Sequence, residues 1–398
     1  MSGNPPRVAF FTDCFHEVNG VALTSRQLDA FARARGLPFF SVHVGPKTAV
    51  ESNGAHTRLE LRRSFASVPL DAGMSFDVFG LRYLAPVKRE LRRFRPDLIH
   101  ITGPGDCGLL GAMLAWQSGV PLVASWHTNL HEFGARRLER FLNGFVPRKI
   151  VLRTGQVAER LILRQLQRFY GLSRVLLAPN PELIDMLEST TGKRTFLMQR
   201  GVDATLYSPE RRDRTADVFT IGYVGRLSPE KNVSVLAAIE QHLIADKLGS
   251  FRIIIVGQGS EREWLRQNVS HAEFAGVLQG KALARAYANM DVFVFPSETD
   301  TFGNVVLEAL ASGLPTIVAS GGGPKFLIEE GVTGFIAADA AGFAAAIATL
   351  MRDPARRVRM AQAARASAVA RSWDSVFEKV YSAYSEALAK SSAAAPSG

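Results

Sequence analysis

Two acidic residues eight positions apart are the residues best placed to do chemistry in this sequence. Asp300 follows a short apolar run, a Phe-Gly-Asn turn comes next, and Glu308 lies in an apolar helix predicted over residues 305–311. Burying a carboxylate among Val, Leu and Ala is costly unless it has a hydrogen-bonding partner, and a ligand hydroxyl would be such a partner. An N-capping or ion-pair role is the alternative.

A pair of basic side chains flanks a second turn. Arg226 and Lys231 bracket Leu-Ser-Pro-Glu, just after Gly225 and before a helix predicted over residues 232–244. Two cations beside the unpaired N–H groups of a helix N-terminus can bind a pyrophosphate without a metal ion. A solvated loop is the alternative. No Cys/His cluster has the spacing of a zinc site, so we expect neither a metal nor another cofactor.

Two further candidates come early in the chain. His127 follows a predicted strand at residues 121–126, and Gly20 lies in an Asn-Gly pair at the start of a predicted helix. A glycine there lets backbone N–H groups approach a phosphate or a sugar. A histidine in this position is often a structural hydrogen-bonding group, and Asn-Gly is common in ordinary turns, so both alternatives stay open.

The elements that must position these residues alternate between strands and helices. Predicted strands span residues 7–11, 38–44, 98–101, 121–126, 175–178, 219–224, 251–256, 292–295 and 316–319. Predicted helices span residues 21–35, 83–94, 108–117, 155–169, 232–244, 261–267, 282–289, 305–311, 342–352 and 373–388, with a further helix opened by Asn180 and Pro181. Residues 47–77 show little clear pattern. This alternation predicts an α/β protein with two doubly wound, Rossmann-like domains.

The pattern restarts in a polar, charged stretch near residues 200–214. We therefore predict an N-terminal domain over residues 1–203, a C-terminal domain over residues 204–372, and a last helix in 373–398 that returns to the first domain before a frayed tail. Ligands of such folds bind at the carboxyl ends of the strands, which predicts a site in a cleft between the two domains.

Composition and charge exclude several classes of protein. The chain has 398 residues, 47% of them apolar, only two cysteines and a net charge of +10. The excess positive charge lies entirely in residues 1–209, which suits an acidic substrate or an anionic membrane surface as well as solvated helix faces. No pattern of a nucleic-acid-binding module accompanies it. Neither a signal peptide nor a membrane span is evident, so we expect a cytoplasmic protein at the inner face of the membrane.

The motifs together resemble a known family. NGVA at residues 19–22, WHTN at 126–129, VGRLSPEKN at 224–232, VGQGSE at 256–261 and TDTFGNVVLEALASGLP at 299–315, followed by GGGP, are similar to those of retaining family 4 glycosyltransferases of the GT-B fold. The resemblance extends from about residue 8 to 388. It is strongest to GDP-mannose-dependent α-mannosyltransferases and related glycolipid synthases.

The resemblance implies a role for each candidate. Gly20 and His127 would face the donor sugar and its phosphates from the acceptor-side domain, and Arg226 and Lys231 would hold the diphosphate. Asp300 would contact the sugar hydroxyls and Glu308 the nucleotide ribose. The remaining donor-binding positions are Gly225, backbone N–H groups at Phe302, Gly303, Asn304 and Val305, and a base pocket lined by Gly276, Val277 and Leu278. The first acid is often Glu in the family, so Asp300 leaves the identity of the sugar open.

The implied reaction is retaining transfer of a hexose from a nucleoside-diphosphate sugar to an acceptor hydroxyl, with GDP-mannose as donor and a lipid or glycolipid as acceptor. No enzyme nucleophile is evident, so the implied route is not a double displacement. Instead, the acceptor would attack the sugar on the same face from which the leaving group departs. A UDP-hexose donor is the first alternative. A sugar-nucleotide epimerase on the same fold and a non-catalytic sugar-nucleotide-binding protein are the others.

Overall fold

The computed structural model describes residues 4–17, 19–64, 67–71, 74–77, 80–127, 148–214 and 218–392. The chain forms two compact units, residues 1–199 with 376–398 and residues 200–375. Each unit is built on a largely parallel sheet with helices in its connections, so the predicted pair of Rossmann-like domains is confirmed. No helix of the described part is long and apolar enough to cross a membrane.

The strands of the first unit are β1 (Val8–Thr12), β2 (Phe39–Gly45), β3 (Ala49–Asn53), β4 (His56–Arg62), β5 (Ser67–Asp71), β6 (Met74–Asp77), β7 (Leu98–Ile101), β8 (Leu122–Ser125), β9 (Val175–Ala178) and β10 (Thr195–Leu197). Eight of them form one sheet in the order β10-β9-β8-β7-β1-β2-β4-β3, and β5 pairs with β6. Only β3 runs antiparallel to its neighbour in the large sheet. The strand order reverses at β1, so β1 and β7 flank the switch point at which such folds bind ligands.

The helices of this unit are α1 (Gly20–Ala34), α2 (Leu84–Phe94), α3 (Asp106–Ser118), α4 (Arg148–Tyr170) and α5 (Pro181–Thr191). Local capping fixes several of their ends. The side chain of Asn19 accepts a hydrogen bond from the Ala22 N–H at 2.8 Å, and Asn180 caps α5 in the same way. Buried apolar residues of β1, β2, β7 and β8 pack against α2 and α3 and form the core.

The second unit contains β11 (Phe219–Val224), β12 (Phe251–Val256), β13 (Ala272–Gly276), β14 (Val292–Phe295), β15 (Thr316–Ala319) and β16 (Gly334–Ala337). Their order, β13-β12-β11-β14-β15-β16, is that of a dinucleotide-type Rossmann sheet, and every pairing is parallel. The remaining helices are α6 (Val235–Ala245), α7 (Arg262–Asn268), α8 (Gly280–Ala288), α9 (Asn304–Ala311), α10 (Ala340–Arg352), α11 (Pro354–Val369) and α12 (Trp373–Ser392). Most of α12, from Val376 onward, groups with the first unit.

The sequence predictions were wrong in two places. Residues 47–77, which showed little pattern, contain the four short strands β3 to β6, of which β3 is largely exposed. The helix predicted from residue 232 begins at Val235, because Pro229–Lys231 forms a 3-10 turn and Asn232 takes a left-handed backbone conformation with φ of 53°. The structure also adds β10, β13, β16 and α11, for which we predicted no element.

Candidate functional site

The switch point of the second sheet lies between the neighbouring strands β11 and β14. The loops that follow these two strands carry the predicted residues. Gly225 and Arg226 follow β11 directly, and Lys231 ends the 3-10 turn Pro229–Lys231. Gly225 has a φ of 156°, and a Cβ atom at this position would lie 2.8 Å from the Tyr223 hydroxyl. A glycine is therefore required where this loop leaves the strand.

Lys231 and Asp300 form the central ion pair of this site. The Nζ atom of Lys231 lies 2.7 Å from Oδ1 and 2.8 Å from Oδ2 of Asp300. Burial acts to raise the pKa of Asp300, but the charge and hydrogen bonds of Lys231 outweigh it and hold this pKa below its ordinary value. Asp300 is therefore an ionised hydrogen-bond acceptor. The Lys231 ammonium has three N–H donors, of which two point to Asp300, so the third can bind another anion.

Arg226 adds a second, more accessible cation. Its side chain is 43% exposed and its guanidinium lies 3.7 Å from the Glu230 carboxylate, a distance beyond a direct hydrogen bond. The loop itself is held firmly, because the Tyr223 hydroxyl donates to the Arg226 carbonyl at 2.9 Å and Thr299 Oγ1 donates to the Glu230 carbonyl at 3.0 Å. The backbone that carries this cation is therefore anchored to β11 and to the loop that precedes Asp300.

A glycine run fixes the loop that carries Asp300. The Gly323 N–H donates to the Asp300 carbonyl at 2.7 Å. A Cβ atom on Gly322 would lie 2.6 Å from the Glu298 carbonyl oxygen, and one on Gly323 would lie 2.0 Å from the Thr301 carbonyl oxygen. The GGGP motif is therefore a backbone-on-backbone contact that only glycine allows, and it positions the acid.

The loop after Asp300 leads into the N-terminus of α9. Phe302 is buried, and Gly303, at φ of 94°, precedes the helix that starts at Asn304 and Val305. The first N–H groups of a helix have no partner within it, and they favour a negative charge. Two cations, an ionised acid and these N–H donors are thus gathered at one end of the sheet.

Glu308 lies on α9 in a largely apolar setting. Its Oε2 atom accepts a hydrogen bond from the Tyr287 hydroxyl at 3.0 Å, and the Tyr207 hydroxyl is a second partner. Burial raises the pKa of Glu308 to about 7, although both tyrosines act in the opposite direction. The two phenols are the partners that a carboxylate in this helix needs, and no sequence pattern indicates them.

The predicted base-pocket residues follow β13. Val277 is 53% exposed, and Leu278 packs against the core of the second unit. Gly276 ends the strand with a φ of 70°. An exposed valine beside a half-buried leucine offers an apolar surface at the carboxyl end of the sheet, next to β12.

The first unit carries the other two predicted residues. Gly20 is the first residue of α1, directly after the capping residue Asn19. His127 follows β8 and is buried, and its Nε2 atom lies 2.7 Å from Ser125 Oγ. Thr128 and Asn129, the rest of the predicted motif, lie outside the described residues.

A buried chain of hydrogen bonds continues from Ser125 away from His127. Ser125 Oγ lies 3.0 Å from His100 Nε2, and His100 Nδ1 lies 2.7 Å from the hydroxyl of Tyr384 on α12. Burial lowers the pKa of His100 to about 3, so this ring is neutral and can pair on both sides. His100, Ser125 and Tyr384 are therefore positioning residues for His127 that sequence reasoning missed.

Asp13 is a second residue that sequence reasoning missed. It directly follows β1 at the switch point of the first sheet, and its Oδ1 atom accepts a hydrogen bond from the Cys107 N–H at 2.7 Å. Burial raises the pKa of Asp13 to about 7. Asp13, which follows β1, thus caps the N-terminus of α3. Its position, an acid at the carboxyl end of a predicted strand, is the sequence feature that could have identified it.

Comparison with known proteins supports the class that this fold and site define. The description Glycosyltransferase Family 4 matches residues 18–206, and Glycosyl transferases group 1 matches residues 218–353. The GDP-mannose-dependent alpha-mannosyltransferase of Mycolicibacterium smegmatis is 34% identical over 310 residues, which is 76% of each chain. The protein of the same name from Corynebacterium glutamicum is 29% identical over 97% of this chain and 90% of its own length.

Solved structures show the same fold at lower identity. Sucrose-phosphate synthase from Thermosynechococcus elongatus matches with a TM-score of 0.70 at 19% identity, over 96% of this chain and 99% of that one. HepE of Anabaena, solved in complex with UDP, matches with a TM-score of 0.65 at 18% identity, over 96% of this chain and all of that one. The chain belongs to the family 4 glycosyltransferases. It is a hexosyltransferase of the GT-B fold.

Proposed function

We propose that this glycosyltransferase moves mannose from GDP-mannose to a hydroxyl group of a lipid or glycolipid acceptor, with retention of configuration. The observation that carries the proposal is the Lys231–Asp300 pair, whose atoms lie 2.7–2.8 Å apart beside the N-terminus of α9. This pair combines a cation for a leaving diphosphate with an ionised acceptor for sugar hydroxyls.

The chemistry follows from where charge develops. Breaking the bond between the anomeric carbon and the diphosphate leaves negative charge on the nucleoside diphosphate and positive charge on the sugar. Lys231, Arg226 and the first N–H groups of α9 stabilise the former, and the ionised carboxylate of Asp300 accepts hydrogen bonds from the sugar. The acceptor oxygen then bonds to the anomeric carbon, and its proton passes to the departing phosphate.

We assign the ribose to Glu308 and the acceptor to the first unit. A ribose hydroxyl is a donor that suits the Glu308 carboxylate, which already accepts hydrogen bonds from the Tyr287 and Tyr207 hydroxyls. His127 and Gly20 lie at the carboxyl end of the sheet in the first unit, where folds of this type bind ligands. Diphosphate binding by two cations and backbone N–H groups needs no divalent metal.

The donor assignment rests on the relatives. Three relatives with 29–34% identity carry the name GDP-mannose-dependent alpha-mannosyltransferase. A UDP-hexose is the second candidate, because the structure of Anabaena HepE contains UDP. The base pocket beside Val277 is the place in this chain that would distinguish guanine from uracil.

The membrane assignment rests on α2. Its side chains Arg89 and Arg93 are 69% and 72% exposed, and Glu90 between them pairs with both at 3.1 Å. Arg92 is exposed as well. Each basic residue near an anionic membrane contributes about 1 kcal/mol, so a cluster of this size supports reversible attachment. We assign Arg136, Arg137 and Arg140 of the basic first half to the same surface, and these three lie outside the described residues.

A panel of nucleotide sugars tests the donor, because a ligand that binds the folded protein raises its melting temperature. We expect the largest rise with GDP-mannose and a smaller one with GDP alone. A larger rise with UDP-glucose or UDP-galactose would replace mannose by that hexose. Incubation with the donor and a membrane-lipid extract, followed by NMR of the product, then reports the anomeric configuration, and an inverted product would contradict the proposed mechanism.

A further inference from the structure

Three potential metal ligands meet in the first unit, outside the donor site. His43 lies on β2 and Glu60 on β4, and the two residues are direct partners in the parallel pairing of these strands. His16 belongs to the loop between β1 and α1 and lies beside them. The pairing of two strands and one loop, and not any sequence motif, brings these side chains together.

The separations are close to those of a metal site. His16 Nε2 lies 3.6 Å and His43 Nε2 lies 3.9 Å from Glu60 Oε2. One ligand atom from each of the three residues lies within 4.8 Å of the others. Tetrahedral zinc with bonds of about 2.0–2.2 Å holds its ligand atoms about 3.4 Å apart. Side-chain shifts of about 1 Å would therefore complete the geometry.

His43 supplies an independent indication. The ring is fully buried, yet neither of its nitrogens forms a hydrogen bond with a described residue. Buried polar groups in folded proteins are nearly always paired, so an unpaired buried imidazole calls for a partner. Phe15 stacks on the ring at 4.0 Å and fixes its plane.

The carboxylate is oriented by its surroundings. The Lys47 N–H donates to Glu60 Oε1 at 3.2 Å, which leaves Oε2 toward the two histidines. A Cβ atom on Gly45 would lie 2.3 Å from Glu60 Oε1, so the glycine makes room for the carboxyl group. Hydrogen bonds of this kind orient ligands in metal sites and raise their affinity.

We propose that His16, His43 and Glu60 bind one Zn²⁺ ion. Two imidazoles and a carboxylate are a ligand set that zinc accepts, with a fourth position for water. The side chain of His16 is 49% exposed, which gives the ion a path from solvent. The ion would tie the loop before α1, which leads to Gly20, to the neighbouring strands β2 and β4. The proposal is independent of the donor and of the proposed reaction.

The test uses the full-length protein after treatment with a chelator. We expect Zn²⁺ titration against a chromophoric chelator to give one site per chain, Co²⁺ to give the visible absorption of a low-coordinate site, and Zn²⁺ to raise the melting temperature. The variants His16→Ala and Glu60→Gln should each lower Zn²⁺ affinity at least ~10-fold. His271→Ala is the matched control, because His271 also pairs with a glutamate, Glu240, at 2.8 Å, but no second histidine of the described part joins them in a possible metal cluster.

Several outcomes overturn the proposal. The proposal is wrong if the unmodified protein binds no Zn²⁺. It is also wrong if His16→Ala and Glu60→Gln leave Zn²⁺ affinity unchanged, or if His271→Ala lowers this affinity as much as they do. Because His16 is half exposed, its alanine variant should melt at the temperature of the chelator-treated parent, and that measurement separates loss of the ion from loss of the fold.

Discussion

Replacing Glu308 by Gln should make the protein more stable at alkaline pH while weakening its hold on the nucleotide. Burial raises the pKa of Glu308 to about 7, whereas a glutamate in an unfolded chain has a pKa of about 4.3. The folded state therefore keeps this proton over a range in which the unfolded state has lost it. The free energy of unfolding falls as the pH rises from about 4.3 to about 7, and it is level above that range.

The magnitude follows from the two pKa values. The destabilisation by Glu308 is about 1 kcal/mol at pH 5 and about 3.5 kcal/mol at pH 8. Glutamine does not ionise, so the variant should gain about 2.5 kcal/mol relative to the parent between these pH values. For a unit of about 175 residues, this gain corresponds to a relative rise of about 5–10 °C in melting temperature.

Scanning calorimetry of the ligand-free protein at pH 5 and pH 8 measures this difference. Glu263→Gln is the matched control, because Glu263 is an exposed acid on α7 of the same unit. Titration with GDP then measures the second effect, a loss of roughly 1–3 kcal/mol if the carboxylate binds a buried ribose hydroxyl. If the melting temperatures of variant and parent differ by the same amount at both pH values, the raised pKa of Glu308 is refuted. If the variant binds GDP as tightly as the parent, the ribose contact is refuted.

Three other predictions concern the acid at the sugar, the metal requirement and the membrane. Asp300→Asn should leave GDP affinity nearly unchanged and lower turnover ~100-fold, because the carboxylate acts on the sugar; an equal loss of GDP binding would assign it to the nucleotide. Turnover should survive EDTA in a His16→Ala background, where the proposed zinc site is disabled; a loss restored by Mn²⁺ would place a metal at the diphosphate. Reversing Arg89, Arg92 and Arg93 to Glu should abolish sedimentation with anionic vesicles at low salt, and a parent protein that stays in the supernatant would exclude membrane attachment.

Much of the fold could be predicted because its signals are local. The strands predicted at residues 98–101, 175–178, 219–224, 251–256, 292–295 and 316–319 have the bounds that the structure gives. Short apolar runs between turn residues mark buried parallel strands, and Asn180 with Pro181 marks a helix start. The strands β3 to β6 were missed because they are short and polar residues or a proline interrupt their apolar residues, so their sequence lacks such a run.

The sequence by itself determined which residue types stand at the carboxyl ends of the strands, since that depends only on the order of elements along the chain. Only the tertiary structure decided which of them meet. Lys231 reaches Asp300 across 69 positions because β11 and β14 are neighbours in the sheet. Tyr287 reaches Glu308 because α8 and α9 pack together. His43 meets Glu60 through the register of β2 on β4. Strand order and register are set by packing of the whole core, so no local pattern encodes these contacts.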